Sequence, residues 1–265
     1  MAIDYVIDLN CVPKQTFTTE GILERLKGEE RAQTIIALFR ENGDERPPSQ
    51  MGFEFTRSTP EGDEETRVIV VQDLLDEAAE LATVAHHCEG CPANRAGRPF
   101  GCYGFIHYPI SSNGEHWLLD QLPVPDEALT WLLLRKGIEE FQYDGSSVRP
   151  LRESNDVYFE DRHPLMRRLG EFSIDANQLF EMIFAVGPIF PNHAALLLLF
   201  LHAINRDLEA DTIMNITPAA PDVDQRHPFI IQHERGEDDT LFELKEFIAA
   251  LYLAWKLNLP LIVDA

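Results

Sequence analysis

The sequence predicts an α+β protein, with a ferredoxin-like β-α-β-β-α-β arrangement over residues 1–111 and a largely helical half over residues 112–265 packed on it. Three observations carry that reading. Apolar residues recur with period two in several runs of the first half, and two segments between those runs hold the three–four spacing of amphipathic helices. Beyond residue 110 helical patterns dominate.

Ile3, Tyr5, Ile7 and Leu9 alternate with Asp4 and Asp8, the period of a half-buried strand. A helical region follows from Thr19, with Ile22, Leu23, Leu26, Ile35, Ile36, Leu38 and Phe39 as its apolar positions and Asn42-Gly43 as its stop. Met51, Phe53 and Phe55 alternate as a second strand. Pro60-Glu61-Gly62-Asp63 reads as a turn and Arg67 to Gln72 as a third strand, so the pair forms a hairpin. Asp73 is placed to cap a second helix carrying Leu74, Leu75, Ala78, Leu81 and Ala82. After a cysteine-containing loop, Tyr103 to Ile110 reads as the fourth strand.

In the second half Ser112 and Glu115 form a capping box for a helix bearing Trp117, Leu118 and Leu122. Further helices are expected at Asp126 to Phe141, Asp175 to Val186, Pro191 to Asn205 and Thr240 to Leu257. Short strands are expected at Val157-Tyr158-Phe159, Phe229 to Gln232 and Leu261 to Val263.

Charge narrows the function. The 22 Lys+Arg stand against 45 Asp+Glu, a formal net charge of -23, which predicts no nucleic-acid partner and no anionic membrane surface as partner. The longest apolar run, Ala194 to Leu201, is too short to span a bilayer. The N-terminus has acids where a signal peptide has bases, so a cytoplasmic location is expected.

The informative segment is His86-His87-Cys88-Glu89-Gly90-Cys91-Pro92, continuing through Arg98-Pro99-Phe100-Gly101 to Cys102. A C-x2-C turn lets two thiolates reach one metal, and Gly and Pro favour the tight loop this needs. The fourth cysteine, Cys11, stands far upstream, just past the first strand, and Cys102 just before the fourth. If strands one and four are antiparallel neighbours, those two points share a sheet edge with the end of the second helix, and Cys11, Cys88, Cys91 and Cys102 converge. The expected occupant is a structural zinc ion, with an iron–sulfur cluster as the alternative and ordinary buried or redox thiols as the third reading. His86 or His87 is the second-line ligand, in place of Cys11. Lys14, Arg95 and Arg98 lie in the same loops; they either offset the thiolate charge or form an anion-binding edge for a small phosphate or carboxylate ligand.

No nucleotide-binding, hydrolase or metalloprotease motif is present. His107, His193, His202, His227, the His233-Glu234 pair and the polar group Asp156, Glu160, Asp161 and His163 read as structural or solvated. The sequence therefore points to a metal-stabilised binding or regulatory module that meets a protein partner. An iron–sulfur redox or sensor protein, or an enzyme with a pocket between the sheet and the helical half, is the alternative.

Overall fold

The computed structural model describes residues 2–58, 64–95, 97–154, 157–185, 187–214, 216 and 223–264. The turn expected at residues 60–63 lies outside these, as do Asp156 and Val186. In chain order the elements are β1 (Ala2–Ile7), α1 (Val12–Phe17), α2 (Thr19–Glu41), β2 (Gly52–Ser58), β3 (Glu64–Val70), α3 (Val71–Ala79), β4 (Tyr103–His107), α4 (Ser112–Gln121), α5 (Ala128–Phe141) and α6 (Arg149–Glu153). They continue with β5 (Met166–Leu169), β6 (Phe172–Asp175), α7 (Ala176–Phe184), α8 (Pro191–Phe200), α9 (Ala210–Met214), α10 (Val223–Arg226), α11 (Asp239–Lys256) and β7 (Leu261–Asp264). No described helix is long and apolar enough to cross a membrane.

The elements expected in the first half form in the expected order, and the protein is α+β. Their assembly is not ferredoxin-like. β1 pairs antiparallel with β4 on one edge, as expected, but its other neighbour is β7, giving a sheet of order β4-β1-β7. β2 and β3 form a separate two-stranded sheet. The physical reason lies in burial. From Ile3 to Ile7 every residue of β1 is buried, Asp4 included, so both faces are covered where the alternation suggested one. The β2–β3 ribbon carries Glu54, Thr56, Thr66 and Arg67, and Val68 is 69% exposed. A ribbon with one polar face needs only one packed face.

That packed face belongs to the compact unit Asn10–Phe100. Ala32, Met51 and Val71 form its buried centre, with Ile35, Phe39, Phe53 and Leu74 packed around them from α2, β2 and α3. Thr18 caps α2, its hydroxyl accepting from Gly21 N–H at 3.1 Å, and Gly43 with φ +77° follows the helix end. α3 begins at Val71, so the residues expected to finish the third strand are instead the first helical turn, and Asp73 lies inside the helix where it was expected to cap.

The second unit, Met1–Leu9 with Gly101–Ala265, holds the three-stranded sheet and the remaining helices. Its core is α11, whose Phe247, Ile248, Leu251 and Trp255 are fully buried, together with α8 and the sheet. The cap of α4 is Ser111 rather than Ser112, its Oγ accepting from Gly114 N–H at 3.0 Å. Asp175 and Gln178 form a reciprocal capping box on α7, and Asp238 caps α11. Phe229 to Gln232 is not a strand, and Val157-Tyr158-Phe159 is reduced to a single bridge between Phe159 and Ile110. The β5–β6 hairpin, turning at Gly170 with φ +69°, was not anticipated.

One contact in the sheet is unusually close. Tyr5 faces Gly104 across the β1–β4 pair, and a Cβ at Gly104 would lie 2.3 Å from Tyr5 Cζ. Tyr5 is buried and edge-on to Phe247, so its ring has nowhere to retreat. Gly104→Ala should therefore cost about 1–3 kcal/mol by overpacking. Thermal melts should show Tyr5→Val in the Gly104→Ala background less harmful than the sum of the two single changes; simple additivity would refute the contact.

Candidate metal centre

Cys88-Glu89-Gly90-Cys91 is a type II turn. Glu89 has φ -67° and ψ 125°, Gly90 has φ +69°, and Cys91 N–H donates to the Cys88 carbonyl at 3.3 Å. Glycine is what this turn requires at its third position, because the positive φ there strains any residue with a Cβ. The turn holds the two cysteine Cα atoms within about 7 Å of each other. It is fed by the short 3-10 turn Ala85–Cys88, on which His86 and His87 are exposed with ring centroids 4.0 Å apart.

The loop then folds back over Cys88. Asn94 N–H donates to the Cys91 carbonyl at 3.0 Å, and its side-chain amide to the Cys88 carbonyl at 2.9 Å. Ala93 is fully buried and Phe100 is buried. Phe100 adopts φ +60°, a conformation costly for an aromatic residue, and its N–H donates to Cys88 Sγ at 3.4 Å. An N–H···S bond of this kind favours the thiolate form of the sulfur.

Cys11 precedes the first turn of α1, with Pro13 buried just inside the helix. α1 packs against the Ala85–Cys88 turn, which brings Cys11 toward the C-x2-C segment. Burial pushes the Cys88 thiol above its usual value; the Phe100 N–H opposes this, while the charges of Cys91 and Cys11 reinforce it. Cys11 and Cys91 thus each act on Cys88 inside the unit Asn10–Phe100. Cys102 belongs to the other unit, where it is buried beside β1 and its carbonyl accepts from Ile7 N–H at 3.0 Å.

All four cysteines are free thiols. Among the described residues no group of three or more His, Cys, Asp or Glu side chains is arranged to hold a metal ion. The ready-made four-sulfur site expected from the sequence is therefore absent from the described side-chain arrangement. The reason is local: Cys88 Sγ is turned toward Phe100 N–H, which takes up one of its lone pairs. Lys14 and Arg95 are half-buried and each already engaged in an interaction, and Arg98 is exposed.

The histidines read as structural are held by carboxylates or by burial. His107 Nδ1 lies 2.6 Å from Glu243, and His233 stands between Glu237 at 2.6 Å and Glu246 at 3.0 Å. Glu237 also receives Lys245 Nζ at 2.6 Å. His163 is exposed and His227 is buried beside Trp255.

Between the sheet and the helices of the larger unit lies a cavity of about 300 Å³, lined by Ile3, Val263, Tyr108, Ser147, Phe159 and Phe180 among others. Its polar groups are committed elsewhere. Ser147 Oγ donates to Glu181 at 2.6 Å, and Glu181 also accepts the N–H groups of Gly145 and Ser147. Burial beside Tyr158 and Asp4 pushes the Tyr108 hydroxyl up to about 12, so it stays protonated. The sequence signalled none of the carboxylate clamps at Glu115, Glu181 and Glu237, because each is completed by a partner far along the chain or across a turn. No family model, no curated protein and no solved structure matches this chain.

Proposed function

We propose that the Asn10–Phe100 unit carries a structural metal site in which Cys11, Cys88 and Cys91 supply thiolates to zinc, and that the protein acts as a binding or regulatory module. The observation that carries this reading is the approach of Cys11, from the start of the unit, to a C-x2-C turn near its end. Two sequence-distant segments with thiols in electrostatic reach are what a tetrahedral thiolate site needs. Thiols bind metal as thiolates, so a dication reverses the effect of burial on Cys88. Loading then consists of turning the sulfurs onto a common centre, with bonds of about 2.3 Å. Lys14, Arg95 and Arg98, in the same unit, would offset the thiolate charge.

The sequence offers Cys102 as the fourth ligand, with His86 or His87 next. Metal analysis decides among them and tests the reading as a whole. Protein purified without chelator should carry one zinc per chain and be colourless, and Cys88→Ser or Cys91→Ser should retain under a tenth of it. Loss of metal in Cys102→Ser but not in His86→Ala or His87→Ala would assign the fourth position to Cys102. Visible absorbance with bound iron would replace zinc by an iron–sulfur cluster. Metal-free protein that takes up no added zinc would overturn the site.

A further inference from the structure

Gly137 stands in the interior of α5, where glycine is a poor helix former compared with leucine or alanine. Neither common reason for such a glycine holds. Its backbone is not in the positive-φ region, and a Cβ built on it would meet nothing within 4 Å. What a side chain would take up is open volume.

That volume is a cavity of about 440 Å³ bounded by α5, α7 and α8 in the larger unit. Leu133 and Phe141 from α5, Met182 from α7, and Leu196 and Phe200 from α8 supply its apolar wall. Phe141 is 70% exposed and Leu196 37%, which is costly apolar exposure at the mouth of the pocket. Met182 is buried and unbranched, a side chain that adapts to the shape of what it meets. Three polar groups border the same space: Tyr143, Asn192 and His193. Among the described residues no Asp, Glu, Lys or Arg lines it.

We infer that this cavity is a binding site for a small uncharged molecule, apolar over most of its surface and carrying hydrogen-bonding capacity for the polar groups at its border. The volume is about three times that of a cavity which holds benzene, and falls in the range of small-molecule pockets, roughly 300–1,000 Å³. A charged ligand would leave water for a wall with no counter-charge, at high cost. An anion would also meet the field of a protein with net charge -23. The bordering groups are themselves neutral: burial keeps His193 below its ordinary value, and burial with the nearby Glu181 carboxylate keeps Tyr143 protonated.

The test uses the full chain and two dyes of matched shape. N-phenyl-1-naphthylamine is uncharged with one N–H donor; 1-anilinonaphthalene-8-sulfonate differs chiefly by its negative charge. The uncharged dye should bind saturably at one site per chain with a blue-shifted emission, at least tenfold tighter than the sulfonate. Gly137→Leu fills the cavity from a helix-favouring residue, so it should melt no lower than the parent and lose at least tenfold in dye affinity. Leu196→Trp narrows the mouth from the opposite helix and should weaken the dye likewise, which keeps the test open if the first variant misfolds. Equal affinity for the two dyes overturns the ligand class. Unchanged affinity in both variants places the dye elsewhere and overturns the site. A concentration-dependent dimer that Gly137→Leu dissociates would make a second copy of the chain the occupant and overturn the small-molecule reading.

Discussion

Arg152→Ala should destabilise the larger unit by about 3–5 kcal/mol, lowering its melting temperature by roughly 6–20 °C or leaving insoluble protein. Arg152 and Glu115 form an ion pair whose side chains are each 1% exposed. The guanidinium also donates to Asn177 Oδ1 at 2.6 Å and to the Asp161 carbonyl at 2.7 Å, and it stacks 3.9 Å over the Phe159 ring. Removing it leaves a buried carboxylate without its counter-charge. Burial pushes the Glu115 carboxyl up; Arg152 opposes this most, with the Leu165 N–H adding to it. A carboxyl raised in the folded state binds its proton before the unfolded chain does, so falling pH stabilises that form. The Arg152→Ala deficit should accordingly shrink on acidification from pH 7 toward pH 5. The double change Arg152→Met with Glu115→Leu should cost far less than the single one, since an apolar pair needs no compensation. Single and double variants that melt alike would show that the pair is incidental.

Cys88→Ser should lower the melting temperature of the Asn10–Phe100 unit by about 12 °C or more, if zinc contributes even about 3 kcal/mol of its binding free energy to folding. The comparison that isolates the metal is fourfold. Parent and variant are each melted with and without a strong chelator. Chelator should lower the parent toward the variant, by the metal's share of the difference, and leave the variant where it is. A hydroxyl in place of the thiol has its own packing cost, which persists in both conditions and cancels. A parent indifferent to chelator, with a variant that melts lower by the same amount in both conditions, would reduce Cys88 to a buried thiol held by Phe100.

Local patterns were legible where the cause is local. The three–four spacing after Thr19 gave α2 to within a residue of each end, and the helix expected at Thr240 to Leu257 is α11 to within a residue. The type II turn at Glu89-Gly90 is written in its glycine. Partnership was not legible. The period-two run of β1 says that a strand forms there and nothing about which strand lies beside it; β7, from the far end of the chain, is its second neighbour. Glu115 matched a capping box by spacing, yet its carboxylate lies buried against Arg152, a contact no short window contains. Met166–Leu169 carries two adjacent arginines and no apolar alternation to mark the β5 strand, although Arg167 reaches back to the carbonyls of Leu119 and Leu122. At the cysteine cluster, residue types and turn were readable, and so was the antiparallel pairing of β1 with β4. The orientation of the sulfurs was not, because it depends on the Phe100 N–H.

The position of Asn10–Phe100 in the chain has a kinetic consequence. β1 and β4 are antiparallel neighbours, with Ile7 N–H bonded to the Cys102 carbonyl, so within the larger unit the chain departs and re-enters at adjacent points. To that unit the entire inserted segment is a loop. Closing it as a random coil carries an entropy cost that grows with the logarithm of its length. Once the insertion has folded, its ends are no longer free to wander, and a strand pairing remote in sequence becomes nearly local. The expected order of events is that the inserted unit condenses first and β1 finds β4 afterwards. Topologies dominated by remote pairings fold slowly, and an early-folding insertion is one way a chain with its first strand set between β4 and β7 escapes part of that delay.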